Sequence, residues 1–275
     1  MTMETYKMDR TIRIGALISG TGTNLQAIID SCNSGKINGK IVFIGSDNPN
    51  AHGLNKGTLL GIPTFVVNYG SIIRNFKKEP ATVAPPDDFD LKDLISKQTL
   101  FNADAEIETV KAFIITRAVA EAKLIDEMRH YPFDLLVLAG YMRNLSPYFI
   151  DRVNTDPDIP RIMNIHPALL PAFPGIDGYG DTFRYGCKIG GCTVHFVDYG
   201  EDSGPIIGQK AYEILEDDTI DSIRAKGLKL EWALYPECVK LFTEGRLNTV
   251  RRSYELKDGG KMQKTVVKII QSPKD

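Results

Sequence analysis

Residues 12–18 form an apolar run, Ser19-Gly20-Thr21-Gly22-Thr23-Asn24 breaks it, and Leu25-Gln26-Ala27-Ile28-Ile29 resumes with helical spacing. A strand that turns through glycines into a helix commits the chain to a crossover, and the alternation continues. A second apolar run at 40–45 ends at Ser46-Asp47-Asn48-Pro49, and residues 62–67 supply a third strand after a helix-compatible stretch. Strands alternating with helices predict a parallel sheet covered on both faces. Right-handed crossovers then bring the strand C-terminal ends to one edge, where ligands collect.

Further along, Leu135-Leu136-Val137-Leu138-Ala139-Gly140 has the continuous apolar character of a strand buried on both faces, and Ile162-Met163-Asn164-Ile165-His166 is a shorter strand closed by Pro167. Residues 193–197 and 206–214 read as an antiparallel pair joined by the loop 198–205. The expected fold class is α/β: a Rossmann-like, mostly parallel twisted sheet flanked by helices, with an antiparallel edge in the C-terminal half. Residues 11–247 make one domain on this reading, with an insertion at about 68–115 where Pro80, Pro85 and Pro86 cluster beside Asp87-Asp88. A short helix is expected at 91–100 and a longer one at 116–129. Asp218 or Thr219 caps a helix running through Trp232 and Leu241 to Gly245, and residues 248–275 form a C-terminal β-hairpin extension turning at Asp258-Gly259-Gly260.

Charge and cysteine content exclude several functions. The 33 basic and 35 acidic residues nearly cancel, and the lack of a basic block argues against a nucleic-acid partner. No apolar run approaches the ~20 residues that span a bilayer, and the opening MTMETYKMDR lacks a secretory core, so a cytoplasmic protein is expected. Four scattered cysteines agree with a reducing compartment. Cys187, Cys192 and His195 lie close enough to raise the question of zinc, but neither a fourth ligand nor tight paired spacing is visible. Buried thiols are expected and a metal is not. Monomer and homodimer both stay open.

The glycine loop leads into a helix whose unpaired N–H groups and positive dipole suit an anion. From the residues alone a monophosphate, a dinucleotide and a plain turn all remain open. The third glycine of the dinucleotide fingerprint falls at Leu25, although Asp47 partly imitates its ribose-binding carboxylate. Asn164 and His166, two apart on a strand, point to the same face, so an amide and an imidazole can converge on one oxyanion. Asp202, in a loop with Ser203-Gly204-Pro205 behind it, would favour the charged imidazolium.

Together these segments resemble the glycinamide ribonucleotide formyltransferase family over about residues 12–247. The resemblance is carried by Ser19-Gly20-Thr21-Gly22-Thr23-Asn24-Leu25-Gln26, Leu138-Ala139-Gly140-Tyr141-Met142-Arg143, Asn164-Ile165-His166-Pro167-Ala168-Leu169-Leu170-Pro171, and Val194-His195-Phe196-Val197 with Asp202-Ser203-Gly204-Pro205. Glu231 with Ala233, Tyr235 and Pro236 resembles the segment bearing the substrate-binding glutamate, and Arg117, after the insertion, resembles an arginine in the helix that normally follows directly. The resemblance implies that Gly22, Thr23 and Asn24 hold the ribonucleotide phosphate and Glu231 the ribose hydroxyls. Met142, Arg143, Leu145 and the loop from Val197 to Asp202 would bind the pterin of the co-substrate 10-formyltetrahydrofolate. Asn164 and protonated His166 would stabilise the tetrahedral intermediate, Asp202 would keep His166 charged and help move the proton, and no metal is required.

The chain departs from the family pattern after Pro174-Gly175, where histidines are usual and Ile176-Asp177-Gly178-Tyr179 stands here, and at Ala168, usually serine. Asp177 is therefore expected to orient the acceptor amine. A formyltetrahydrofolate hydrolase would use the same Asn, His and Asp with water, but typically carries a regulatory domain ahead of the glycine loop, where this sequence has only about ten residues. Transferases acting on methionyl-tRNA or a nucleotide sugar lack a loop like 20–26. A silent folate or nucleotide binder would not need all three polar residues intact.

Overall fold

Strand β1 (Ile12–Ile18) lies inside a seven-stranded sheet, flanked by β2 (Gly39–Ser46) and β4 (Leu135–Leu138), which is why both of its faces are apolar. The computed structural model describes residues 10–156 and 158–271. The sheet runs β3-β2-β1-β4-β5-β6-β7, with β3 at Thr64–Val66, β5 at Ile162–His166, β6 at Ile189–Phe196 and β7 at Ile206–Glu213. Pairing is parallel from β3 through β5, then antiparallel at β5–β6 and β6–β7. The expected parallel sheet with an antiparallel edge is what the chain forms.

Alternation along each strand divides the core. Ile14, Val137 and Met163 pack with Leu25 and Ile28 of α1 (Thr23–Asn33) and with Tyr235 and Val239 of α8 (Ile220–Thr243). Leu17, Phe43 and Leu136 pack on the other face, with Leu124 of α5 (Ile107–Met128) and Phe149 of α6 (Pro147–Val153). Burying a large aliphatic side chain stabilises by roughly 1.5–3 kcal/mol, so these two layers fix the strand ends that carry the site. Tyr235 adds a polar tie: its single hydroxyl hydrogen is shared between the carbonyls of Met163 (2.7 Å) and Leu138 (3.1 Å), joining α8 to the ends of β4 and β5.

Three boundaries differ from the sequence reading. Helix α5 begins at Ile107 rather than 116, because Val110 and Ile114 find buried partners in Leu94 of α4 (Leu91–Lys97) and in Tyr148. Tertiary packing extends a helix that local composition would have started later. Strand β6 starts at Ile189, four residues before 193, paired throughout with β7. Residues 69–78, inside the expected insertion, form helix α3 (Tyr69–Lys78), capped by the Asn68 side chain, which accepts from Ser71 N at 2.9 Å. Thr219 caps α8 reciprocally with Ser222. Helix α2 (Leu54–Leu60) connects β2 to β3, and α7 (Gly178–Arg184) precedes β6. Strands β8 (Leu247–Glu255) and β9 (Lys261–Ile269) pair as a separate antiparallel hairpin. Among the described residues no helix is long and apolar enough to cross a membrane.

Candidate active site

The C-terminal ends of β4 and β5 and the first turn of α1 open into one cleft of about 250 Å³. Asn24, Met142, Arg143, Leu145, Asn164, His166, Val197, Asp202 and Glu231 all line it. Gly22 and Thr23 do not line it. They form the entrance to α1 beside it, with Gly22 at φ +66° and no side chain capping the helix. That conformation suits glycine, and the first N–H groups of α1 lack an intrahelical acceptor.

His166 ends β5 and is buried. Its Nδ1 lies 3.1 Å from Asp202 Oδ2 and its Nε2 lies 2.7 Å from the carbonyl of Phe173. Both partners are acceptors, so satisfying both requires a proton on each ring nitrogen. Burial works against that charge, but the hydrogen bond to Asp202 and its negative charge outweigh it, and the His166 pKa is raised. Burial likewise disfavours ionised Asp202, yet the hydrogen bond and charge of His166, with the Gly175 N–H, hold its carboxyl well below the usual range. Asp202 sits at φ +50°, aimed by its loop, and its Oδ2 also accepts from Gly175 N at 2.9 Å.

Asn164 stands opposite His195 in the β5–β6 register, on the same face as His166. Its Nδ2 lies 3.4 Å from Asp202 Oδ1 and 3.2 Å from His195 Nε2. A proton on His195 Nδ1 donates to the Phe196 carbonyl (2.9 Å) and leaves Nε2 as an acceptor for the amide. The centre is thus an amide and an imidazolium arranged around one carboxylate.

At one end of the cleft, buried Glu231 accepts from Asn24 Nδ2 (2.6 Å) and from the Tyr179 hydroxyl. Burial raises its pKa against those two donors. At the other end, Met142 N donates to Ser19 Oγ (2.8 Å), which donates to Asp47 Oδ1 (2.5 Å), while Arg143 Nε pairs with Asp47 Oδ2 (2.5 Å). Asp47 therefore braces the glycine loop against the β4 end. That corrects its likeness to a ribose-binding carboxylate.

One further expectation is corrected. Asp177, half exposed, caps α7 through Gly180 N (3.3 Å) and pairs with Arg184 (2.8 Å), so its carboxylate is turned to α7 and not to the cleft. Arg117 lies outside the cleft lining, buried with its guanidinium 4.7 Å from the Phe113 ring centroid and 5.5 Å from that of Tyr69. Cys192 and His195 are three apart on β6 and face opposite sides of the sheet, so they do not converge on one ion. Among the described residues no three His, Cys, Asp or Glu side chains group as a metal site. Sequence reasoning gave no role in the site to His195 or Tyr179. Only the strand register could have supplied the first, and no local signal marks the second.

A formyl transferase family model matches residues 12–239. The phosphoribosylglycinamide formyltransferase of Haemophilus influenzae is 33% identical over 235 residues, 86% of this chain and 89% of that protein. That of Bacillus subtilis is 46% identical over 124 residues, 45% of this chain and 61% of that protein. Among solved structures, glycinamide ribonucleotide transformylase 1 from Symbiobacterium toebii superposes with a TM-score of 0.68 at 34% identity, covering 98% of each chain. The chain belongs to the formyl transferase family, among its phosphoribosylglycinamide formyltransferases.

Proposed function

We propose that this enzyme transfers the formyl group of 10-formyltetrahydrofolate to the amine of glycinamide ribonucleotide, a step of de novo purine biosynthesis, with Asn164, His166 and Asp202 as its catalytic residues. One observation carries the assignment: His166 lies between two acceptors, Asp202 and the Phe173 carbonyl, and so is built to hold a positive charge next to the Asn164 amide. An imidazolium and an amide donor suit an oxygen that becomes negative during acyl transfer.

The acceptor amine attacks the formyl carbon, a C–N bond forms, and the carbonyl electron pair moves onto oxygen. Asn164 Nδ2 and His166 stabilise that oxyanion. For these donors to reach it, the Phe173 carbonyl must give up its hydrogen bond from Nε2–H, and Asn164 must give up its long 3.4 Å contact with Asp202 Oδ1, so the Phe173 segment shifts when substrate binds. On collapse the bond to the folate nitrogen breaks, and the proton lost by the amine reaches that nitrogen with help from Asp202, directly or through water. No metal is required for these steps.

Gly22, Thr23 and Asn24 at the α1 entrance hold the ribonucleotide phosphate, and Glu231 the ribose hydroxyls. Anchoring the remote phosphate converts a bimolecular encounter into an oriented one. Met142, Arg143, Leu145, Val197 and Asp202 bind the pterin. Since the Arg143 side chain is held by Asp47, its backbone faces the folate. The test is the absorbance change of 10-formyltetrahydrofolate with and without glycinamide ribonucleotide. Consumption dependent on the ribonucleotide is expected, whereas full-rate deformylation without it would assign a hydrolase.

A further inference from the structure

Helices α7 and α8 meet at Tyr179. Its ring lies against Gly227 so closely that a Cβ there would fall 2.2 Å from Tyr179 Cε1. An interior glycine destabilises a helix relative to alanine, so α8 carries one where the tyrosine ring needs the room. One turn further along α8 stands Glu231, whose Oε1 accepts from the Tyr179 hydroxyl and whose Oε2 accepts from Asn24 Nδ2 at 2.6 Å. Both Tyr179 and Glu231 line the cleft while being almost wholly buried. Burial and the negative charge of Glu231 push the Tyr179 phenol up, so it stays a donor.

We propose that Tyr179 is a positioning residue for the acceptor: its hydroxyl, held over Gly227, fixes the Glu231 carboxylate so that its remaining lone pairs receive the vicinal hydroxyls of a ribose. This rests on Glu231 being the ribose ligand. A carboxylate tied at each oxygen cannot rotate, and a fixed pair of acceptors selects a diol over a single hydroxyl. Glu231 is faced by Tyr179 from α7, Asn24 from α1, Cys192 from β6, Tyr212 from β7 and the charge of His166 from β5. Of these, Tyr179 and Asn24 donate to it and oppose the upward push of burial.

Steady-state kinetics of two variants test this. Tyr179→Phe keeps the ring and removes the donor. It should raise KM for glycinamide ribonucleotide by about ten- to a hundredfold, the usual loss of a hydrogen bond to a charged group, with kcat and the folate KM within about twofold. The acid limb of kcat/KM for the acceptor should move to higher pH, because burial of Glu231 is then less opposed. Gly227→Ala should give the same acceptor-specific rise by displacing the ring, although alanine favours the helix. An unchanged acceptor KM in Tyr179→Phe, or an equal rise in both KM values, overturns the proposal. Glu231→Ala separates the layers: an unchanged acceptor KM there removes the ribose assignment and the proposal with it. A raised one, with Tyr179→Phe unaffected, removes Tyr179 alone.

Discussion

Asn164 and His195 face each other across the β5–β6 ladder, Nδ2 to Nε2 at 3.2 Å, and Asp202 Oδ1 lies 3.4 Å from the same amide nitrogen. Two acceptors therefore fix the plane of the Asn164 side chain before any substrate arrives. Asn164→Ala should leave the fold intact and slow turnover by about 10²–10³, the usual cost of one oxyanion donor. Near-wild-type kcat in the folded variant would remove Asn164 from the mechanism.

His166 and Asp202 should behave as one unit, since Asp202 acts through the charge on His166. The His166 pKa is raised above its unfolded value of ~6.5, so its contribution to stability is full below that value and is lost as pH rises through the raised pKa. Activity should show the same alkaline limb, because the imidazolium is the active form. Asp202→Asn removes the charge that raises the pKa, so the limb moves to lower pH. His166→Ala combined with Asp202→Asn should lose less than the product of the two single losses. A multiplicative loss, or an unmoved limb, would refute the coupling.

The polar centre was legible because its parts sit at chain positions with local meaning: Asn164 and His166 two apart at a strand end, and Asp202 in a rigid loop. His195 was not, since its place beside Asn164 follows from antiparallel register, a long-range property. Tyr179 reaches Glu231 across 52 positions, and only the packing of α7 on α8 brings them together. Apolar strands alternating with helices announced a mostly parallel sheet but not its strand order, whereas α5 gained its first turns from contacts with α4 that no window of α5 contains.

Gly22 tests the phosphate end. At φ +66° an L side chain is strained by about 1–2 kcal/mol, and a Cβ would also stand 3.4 Å from Gly53 Cα. Gly22→Ala should therefore weaken ribonucleotide binding far more than folate binding when both are titrated calorimetrically. Equal weakening would mean that the loop has lost its shape generally.

Asp177→Ala should change acceptor KM and kcat by less than about twofold, because its carboxylate is committed to Arg184 and to the N-terminus of α7. A fivefold or greater rise in acceptor KM, with α7 intact by hydrogen exchange, would restore a direct role for Asp177.

Glu121 carries the last prediction. It is fully buried on α5, where Oε1 accepts from Ser146 N at 2.8 Å and Oε2 accepts from Ser146 Oγ, satisfying a free N–H at the start of α6. Burial pushes its carboxyl up to about 7, against the donors of Ser146 and the charge of Arg117. The unfolded value is ~4.3, so between the two the folded state binds more protons. Its favourable share of stability is full below the unfolded pKa and is lost as pH rises through about 7. Glu121→Gln cannot ionise, yet keeps an oxygen for Ser146 N and an amide donor for Ser146 Oγ. The stability of the variant relative to wild type should therefore increase between pH 5 and 8 by on the order of 3 kcal/mol. Urea unfolding at fixed pH values measures this directly. A difference that stays constant across that range would show that Glu121 does not titrate there.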